Sequence, residues 1–142
     1  MADYVATANA LRTKLQEFTG LPIFWENGDT KPSPDTCPNG YVYAEVDTLS
    51  SQQITLGGLG NREFRDFGEF IVSVHVPRGS RAGTAEQHAQ DIRALFQPPT
   101  LGEVVIGDRT IAKGREAGAV NGPLGTTWCV PVIIDWYADR KE

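Results

Sequence analysis

The chain of 142 residues predicts an α+β fold, a mostly antiparallel β-sheet with two α-helices packed on one face and a long projecting β-hairpin. Three observations predict it. Two segments place apolar residues at helical spacing, several others alternate apolar with polar residues, and the order is helix, strands, helix, strands. A single domain over residues 1–142 is expected, because a chain of this length can bury its own core and no linker divides it.

Val5, Ala8, Leu11, Leu15 and Phe18 recur at three- and four-residue steps and predict the first helix. Asp3 stands where a cap is needed, and Gly20 with Pro22 ends the helix. "PIFWE" (22–26) reads as a short strand. Residues 27–40, with Pro32, Pro34 and Pro38, read as a loop long enough to suggest disorder or an interaction. In 41–56, Val42, Ala44 and Val46 point one way, and Tyr41, Tyr43, Glu45 and Asp47 the other. In 64–76, Phe70, Val72, Val74 and Val76 share a face. The two strands predict an antiparallel hairpin with its tip near residues 57–61.

"RGSRAGT" (78–84) leads into a second helix, where Thr84 and Gln87 have capping-box spacing. Ala85, Ala89, Ile92 and Phe96 form its apolar stripe. "EVVI" and "RTIAK" flank Gly107-Asp108, a two-residue hairpin signal, and residues 114–127 read as a glycine-rich loop. The last strand, "WCVPVIIDWYA", sets Trp128, Val130, Val132, Ile134 and Trp136 on one face, to lie under a helix. Pro131 predicts an edge position, or an outward-facing nitrogen at that point.

A formal net charge of −5 argues against a sequence-independent grip on nucleic acid. No apolar run is long enough for a membrane span, and the first residues lack the layout of a secretion signal, so an intracellular protein is expected. A Cys37–Cys129 disulfide stays open, but a chain of this size does not need one. The stretch "ITLGGLGNREFRDFGEF" (54–70) lacks both dinucleotide spacing and the P-loop lysine, so it reads as a hairpin tip and not a phosphate cradle. "RGSRAGT" could hold an anion at a helix start, yet reads more simply as a loop feeding a helix.

His75 and His88 have no second ligand at metal spacing, so neither metal nor cofactor is expected. Asp66 with Glu69 and Glu45 with Asp47 are carboxylate pairs, and Glu45 and Asp47, on one strand face near tyrosines, read as a solvated or subunit-facing surface and not as an acid–base dyad. No motif names a reaction. What stands out is surface suited to a protein partner, with Leu56, Leu59, Arg62, Phe64, Arg65 and Phe67 as the candidate assembly interface.

Motifs in order along nearly the whole chain carry a resemblance. Leu21, Pro22, Trp25, Glu26 and Asn27 follow the first helix, and Leu56, Gly57, Gly60 and Arg62 form a turn. Pro77, Gly79, Ile92, Arg93 and Phe96 span the middle, and Val130, Pro131, Val132, Ile134, Trp136 and Tyr137 close the chain. In this pattern the chain resembles the tail-terminator-like proteins of long-tailed phages and gene transfer agents. It departs from them where Glu63 and Phe64 separate Arg62 from Arg65, and in the basic insert after Pro77.

The resemblance implies a structural virion protein, not an enzyme, that caps the head-proximal end of the tail tube as a homohexameric ring. Its partners would be further copies of itself, the tail tube protein and head-completion or neck proteins, with DNA passing through the lumen without sequence-specific contact. Its place would be the virion tail, assembled in the host bacterial cytoplasm. The alternatives are a head-completion or neck protein, a small enzyme near His75 or His88, and a ligand-binding module.

Overall fold

In the computed structural model, which describes residues 3–26, 28, 32, 36–55, 62–80, 83–117 and 127–141, the first helix starts at a side-chain cap. The Asp3 carboxylate accepts a hydrogen bond from the Ala6 N–H at 2.9 Å, and α1 runs Tyr4–Leu15. Its buried side is Thr7, Ala8, Leu11 and Leu15, with Phe18 buried just beyond the helix. Val5, expected on that side, is 64% exposed. At 3.6 residues per turn it falls roughly 110° from the centre of the buried stripe.

The sheet is built on three long strands. β1 (Ile23–Trp25) runs parallel to β2 (Tyr41–Gln53), and β2 pairs antiparallel with β3 (Glu63–Pro77), from Tyr41 opposite His75 to Gln53 opposite Phe64. The expected tip of this pair lies outside the described residues. After α2 (Thr84–Leu95) come β4 (Thr100–Leu101), β5 (Val104–Ile111), β6 (Arg115–Ala117) and β7 (Thr127–Lys141). β7 pairs with β3 along its whole length, and with β5 and then β6 on its other side, giving the order β1-β2-β3-β7-β5-β4.

The fold is α+β, as expected, with a mostly antiparallel sheet. Side chains alternate across it, so the even-numbered residues Val42 to Val46, Phe70 to Val76 and Val130 to Ala138 face one side. They form one apolar cluster with Leu11 and Leu15 of α1 and with Ala85, Ala89, Ile92 and Phe96 of α2 and its C-cap. Gly68 permits one close approach in this region. A Cβ there would collide with the Trp136 indole and the Asp47 carbonyl oxygen, so the ring lies directly on the β3 backbone.

Three expectations change. Thr84 does not cap α2. The cap is Gly83, at φ 93° and with no side-chain cap bond, which moves Thr84 into the first turn. Gly107-Asp108 makes no hairpin, because β5 runs straight through it. Ile106 pairs with Trp136 and Arg109 with Ile134, so β5 carries one extra residue and bulges against the uninterrupted β7. The expected loop at 114–127 contains β6.

For Pro131 the second of the two expected arrangements holds, since it lies in a central strand and not at an edge. Its carbonyl accepts from the Ala112 N–H at 2.9 Å, so its nitrogen faces the break between the end of β5 and the start of β6. The ladder therefore has no bond to lose there. Trp128, on the expected face beside the start of α2, is 37% exposed.

Candidate assembly surface

The groups that could have carried chemistry are occupied structurally. The Thr127 hydroxyl donates to the Ala117 carbonyl at 3.0 Å, so the His75 Nδ1–H, 3.0 Å away, is left to donate to the Thr127 oxygen. The His75 ring stacks on Tyr41 with centroids 4.7 Å apart. Burial, helped by the charge of Arg115, pushes its pKa down to about 4. The His88 ring meets Phe18 edge-on at 5.7 Å, which holds it in the packing between helix and loop, and its buried Nδ1 has no hydrogen-bond partner among the described residues.

Cys37 and Cys129 are free and buried, and burial pushes the Cys129 thiol up. Among the described residues, no group of three or more His, Cys, Asp or Glu is placed to hold a metal. Among the same residues, no helix is long and apolar enough to cross a membrane. A cavity of about 350 Å³ lies beside the start of α2, but Arg78, which lines it, is ion-paired with Glu116 at 2.9 Å. That cation is already answered within the chain.

A different kind of site appears where β2, β3 and β7 run past the helices. On the helix side, the Arg140 Nε donates to Asp66 Oδ2 at 2.9 Å, and its guanidinium lies 4.8 Å from the Phe64 ring centroid. The Ser51 hydroxyl donates to the other Asp66 oxygen. On the opposite face, Arg65 grips Asp139 with two N–H donors at 2.8 and 3.1 Å and lies 4.4 Å over the Tyr137 ring. Tyr137 packs on Phe67 at 5.9 Å. The Arg65–Asp139 hydrogen bond holds the guanidinium above its ordinary range and the carboxyl below its own.

Strand alternation therefore divides the expected interface. Phe64 lies on one face, and Arg65 and Phe67 lie on the other. Arg62 is exposed, and Leu56 and Leu59 lie outside the described residues. Asp66 and Glu69, considered together from the sequence, point to opposite faces. Sequence reasoning missed Asp66 as a bonded partner, together with Tyr137, Asp139 and Arg140. Its available signal was the "ADR" that closes the last strand, which becomes two ion pairs only when its register against "RD" (65–66) is known.

The outer edge of β2 is the other notable element. β1 covers it only as far as Ala44, whose carbonyl also accepts from the Glu26 N–H at 3.1 Å. The Glu26 carboxylate then accepts from the Val46 N–H at 2.8 Å, replacing the rung that β1 no longer supplies. From Asp47 to Gln53 no strand pairs with this edge among the described residues, and every residue is exposed. The pairing with β3 shifts between Thr48 and Ser50, leaving Leu49 62% exposed. On the face away from the helices, Asp47, Glu69 and Asp135 stand directly across from one another. Burial, then the charges of Glu26 and Asp47, hold the Glu45 carboxyl above its usual range.

With this geometry in place, comparison with known proteins is informative. The model of a family described as phage tail terminator protein matches residues 6–136. One solved structure superposes with a TM-score of 0.60 at 21% identity, over 94% of this chain and 95% of the other, and shares the fold. No curated protein matches the sequence.

Proposed function

The chain belongs to the phage tail terminator family, and from that premise we propose that it caps the head-proximal end of a tail tube. The family is one of structural phage tail proteins. In our reading, the chain folds as one domain and six copies close into a ring. That ring stops tube growth and offers the head or neck its joining surface. The observation that carries this reading is the family match over residues 6–136, which takes in both helices and most of the sheet.

The bare end of the sheet supports it physically. A closed ring needs two different patches on each copy that meet head to tail. Arg65–Asp139 and Arg140–Asp66 tie β3 to β7 on both faces, so this end is held in one shape before any partner arrives. We assign the tube- and neighbour-facing contacts to this end, with Arg62, Phe64, Arg65 and Phe67, and with Leu56 and Leu59 of the adjoining tip.

Deleting the gene from its phage or element and imaging the tails by electron microscopy tests the proposal. Overlong or unjoined tails are expected. Tails of normal length attached to heads would refute it.

A further inference from the structure

Both edges of the sheet offer backbone that no strand occupies among the described residues. On one side this is Asp47–Gln53 of β2. On the other, β4 covers β5 only at Val104 and Val105, and the Ile106 N–H donates to the Pro99 carbonyl at 2.8 Å. From Gly107 to Ile111 the outer edge of β5 then has no strand partner among the described residues. Natural sheets blunt exposed edges with lysine, proline, bulges or short strands. The segment "DTLSSQQ" has neither lysine nor proline, and its only such device is the bulge at Leu49.

The bare stretch of β5 carries one charge of each sign, Asp108 and Arg109, so the contrast in sign lies between the β2 edge and the residues just beyond β5. Glu45 and Asp47 lie by the β2 edge and have no ion-pair partner among the described residues, while Glu26 forms an ion pair with Arg12 at 3.7 Å. Beyond the β5 edge, Lys113 and Arg115 are both exposed, again with no ion pair among the described residues. The edges also run in compatible directions. β2, β3, β7 and β5 alternate in direction, so a β5 edge brought against β2 by head-to-tail repetition meets it antiparallel. Arg109 stands level with Val46 through Ile134 and Phe70, so the two bare edges are offset along the strands and successive copies would be staggered. Closing a sheet on itself requires such a stagger.

We propose that the Asp47–Gln53 edge of one copy pairs with the Gly107–Ile111 edge of the next copy of this same chain, continuing the sheet between subunits. Lys113 and Arg115 of that next copy face Glu45 and Asp47. Backbone bonds supply the affinity, and the unlike charges fix which edge meets which. This rests on the ring reading and names its interface.

Two double variants and their mixture test it, read by native mass spectrometry over a concentration series. Glu45→Lys with Asp47→Lys makes both edges positive, and Lys113→Glu with Arg115→Glu makes both negative. Each variant alone is expected to keep the parent's circular dichroism and melting but to lose the oligomer that the parent forms. An equimolar mixture is expected to recover oligomers containing both masses in alternation. Oligomers from either variant alone, no recovery in the mixture, or a parent chain that stays monomeric throughout would each overturn the edge pairing. Overlong tails in the gene deletion alongside any of these results would leave the ring reading standing with a different interface.

Discussion

On one face of the same three strands, the row Ala44–Val72–Val132 is buried beneath the helices, whereas the row Gln53–Phe64–Arg140 lies beyond them. The first row is held by removing apolar surface from water, about 1.5–3 kcal/mol for each fully buried valine. The second is held by an arginine spanning a carboxylate and a ring, with side chains partly open to solvent. Partly exposed ion pairs contribute about 0–1 kcal/mol each, so the bare end adds little to stability and much to shape. A change under the helices should therefore unfold the chain, whereas a change at the bare end should leave it folded and unable to assemble.

The largest expected effect sharpens the covered side of that contrast. Trp136→Ala removes a buried indole lying on Gly68 and should cost about 3–5 kcal/mol in urea unfolding. A variant as stable as the parent would mean that the ring does not pack as described.

Acid probes the opposite face of the sheet through His75, buried against Tyr41 and Thr127, whose pKa falls from 6.5 in the unfolded chain to about 4 in the fold. The unfolded state then binds the proton first, so stability is highest above pH 6.5 and declines as pH falls toward 4. The loss is about 3 kcal/mol in total. Glu45, whose carboxyl is held high, works in the opposite direction, so the comparison should be between the parent and His75→Gln. The parent should lose more stability than the variant between pH 7 and pH 4.5, and parallel profiles would contradict the buried neutral imidazole.

Arg140→Ala crosses the boundary between the two regions. It leaves Asp66, only 9% exposed, with Ser51 as its remaining described side-chain partner, and should cost about 1–3 kcal/mol. An unchanged melting temperature would mean that the pair is not formed in solution.

The same division explains what could be read from the sequence. Alternation in "YVYAEV" and "FIVSVHV" identified the buried face of β2 and β3, because strand geometry fixes that face residue by residue. The Asp3 cap was equally local. Pairing was not. Nothing near Gly107-Asp108 distinguishes a turn from a bulge, and only the continuous β7 alongside decides it. The central position of β7 was hidden by Pro131, whose missing donor happens to face the break between β5 and β6. At the candidate site, arginines and phenylalanines were visible, but Asp139 lies 74 residues from its partner Arg65, and Arg140 lies 74 residues from Asp66. Their meeting depends on strand register, which long-range packing sets.

Hydrogen–deuterium exchange on the free protein and on assembled tails tests most directly whether the bare region is the assembling region. Amides of Val72, Val74 and Val132 should be protected in both states. The outward-facing amides of the Asp47–Gln53 edge, those not directed at β3, should exchange quickly in the free chain and become protected in the tail. Fast exchange along that edge in assembled tails would contradict the account.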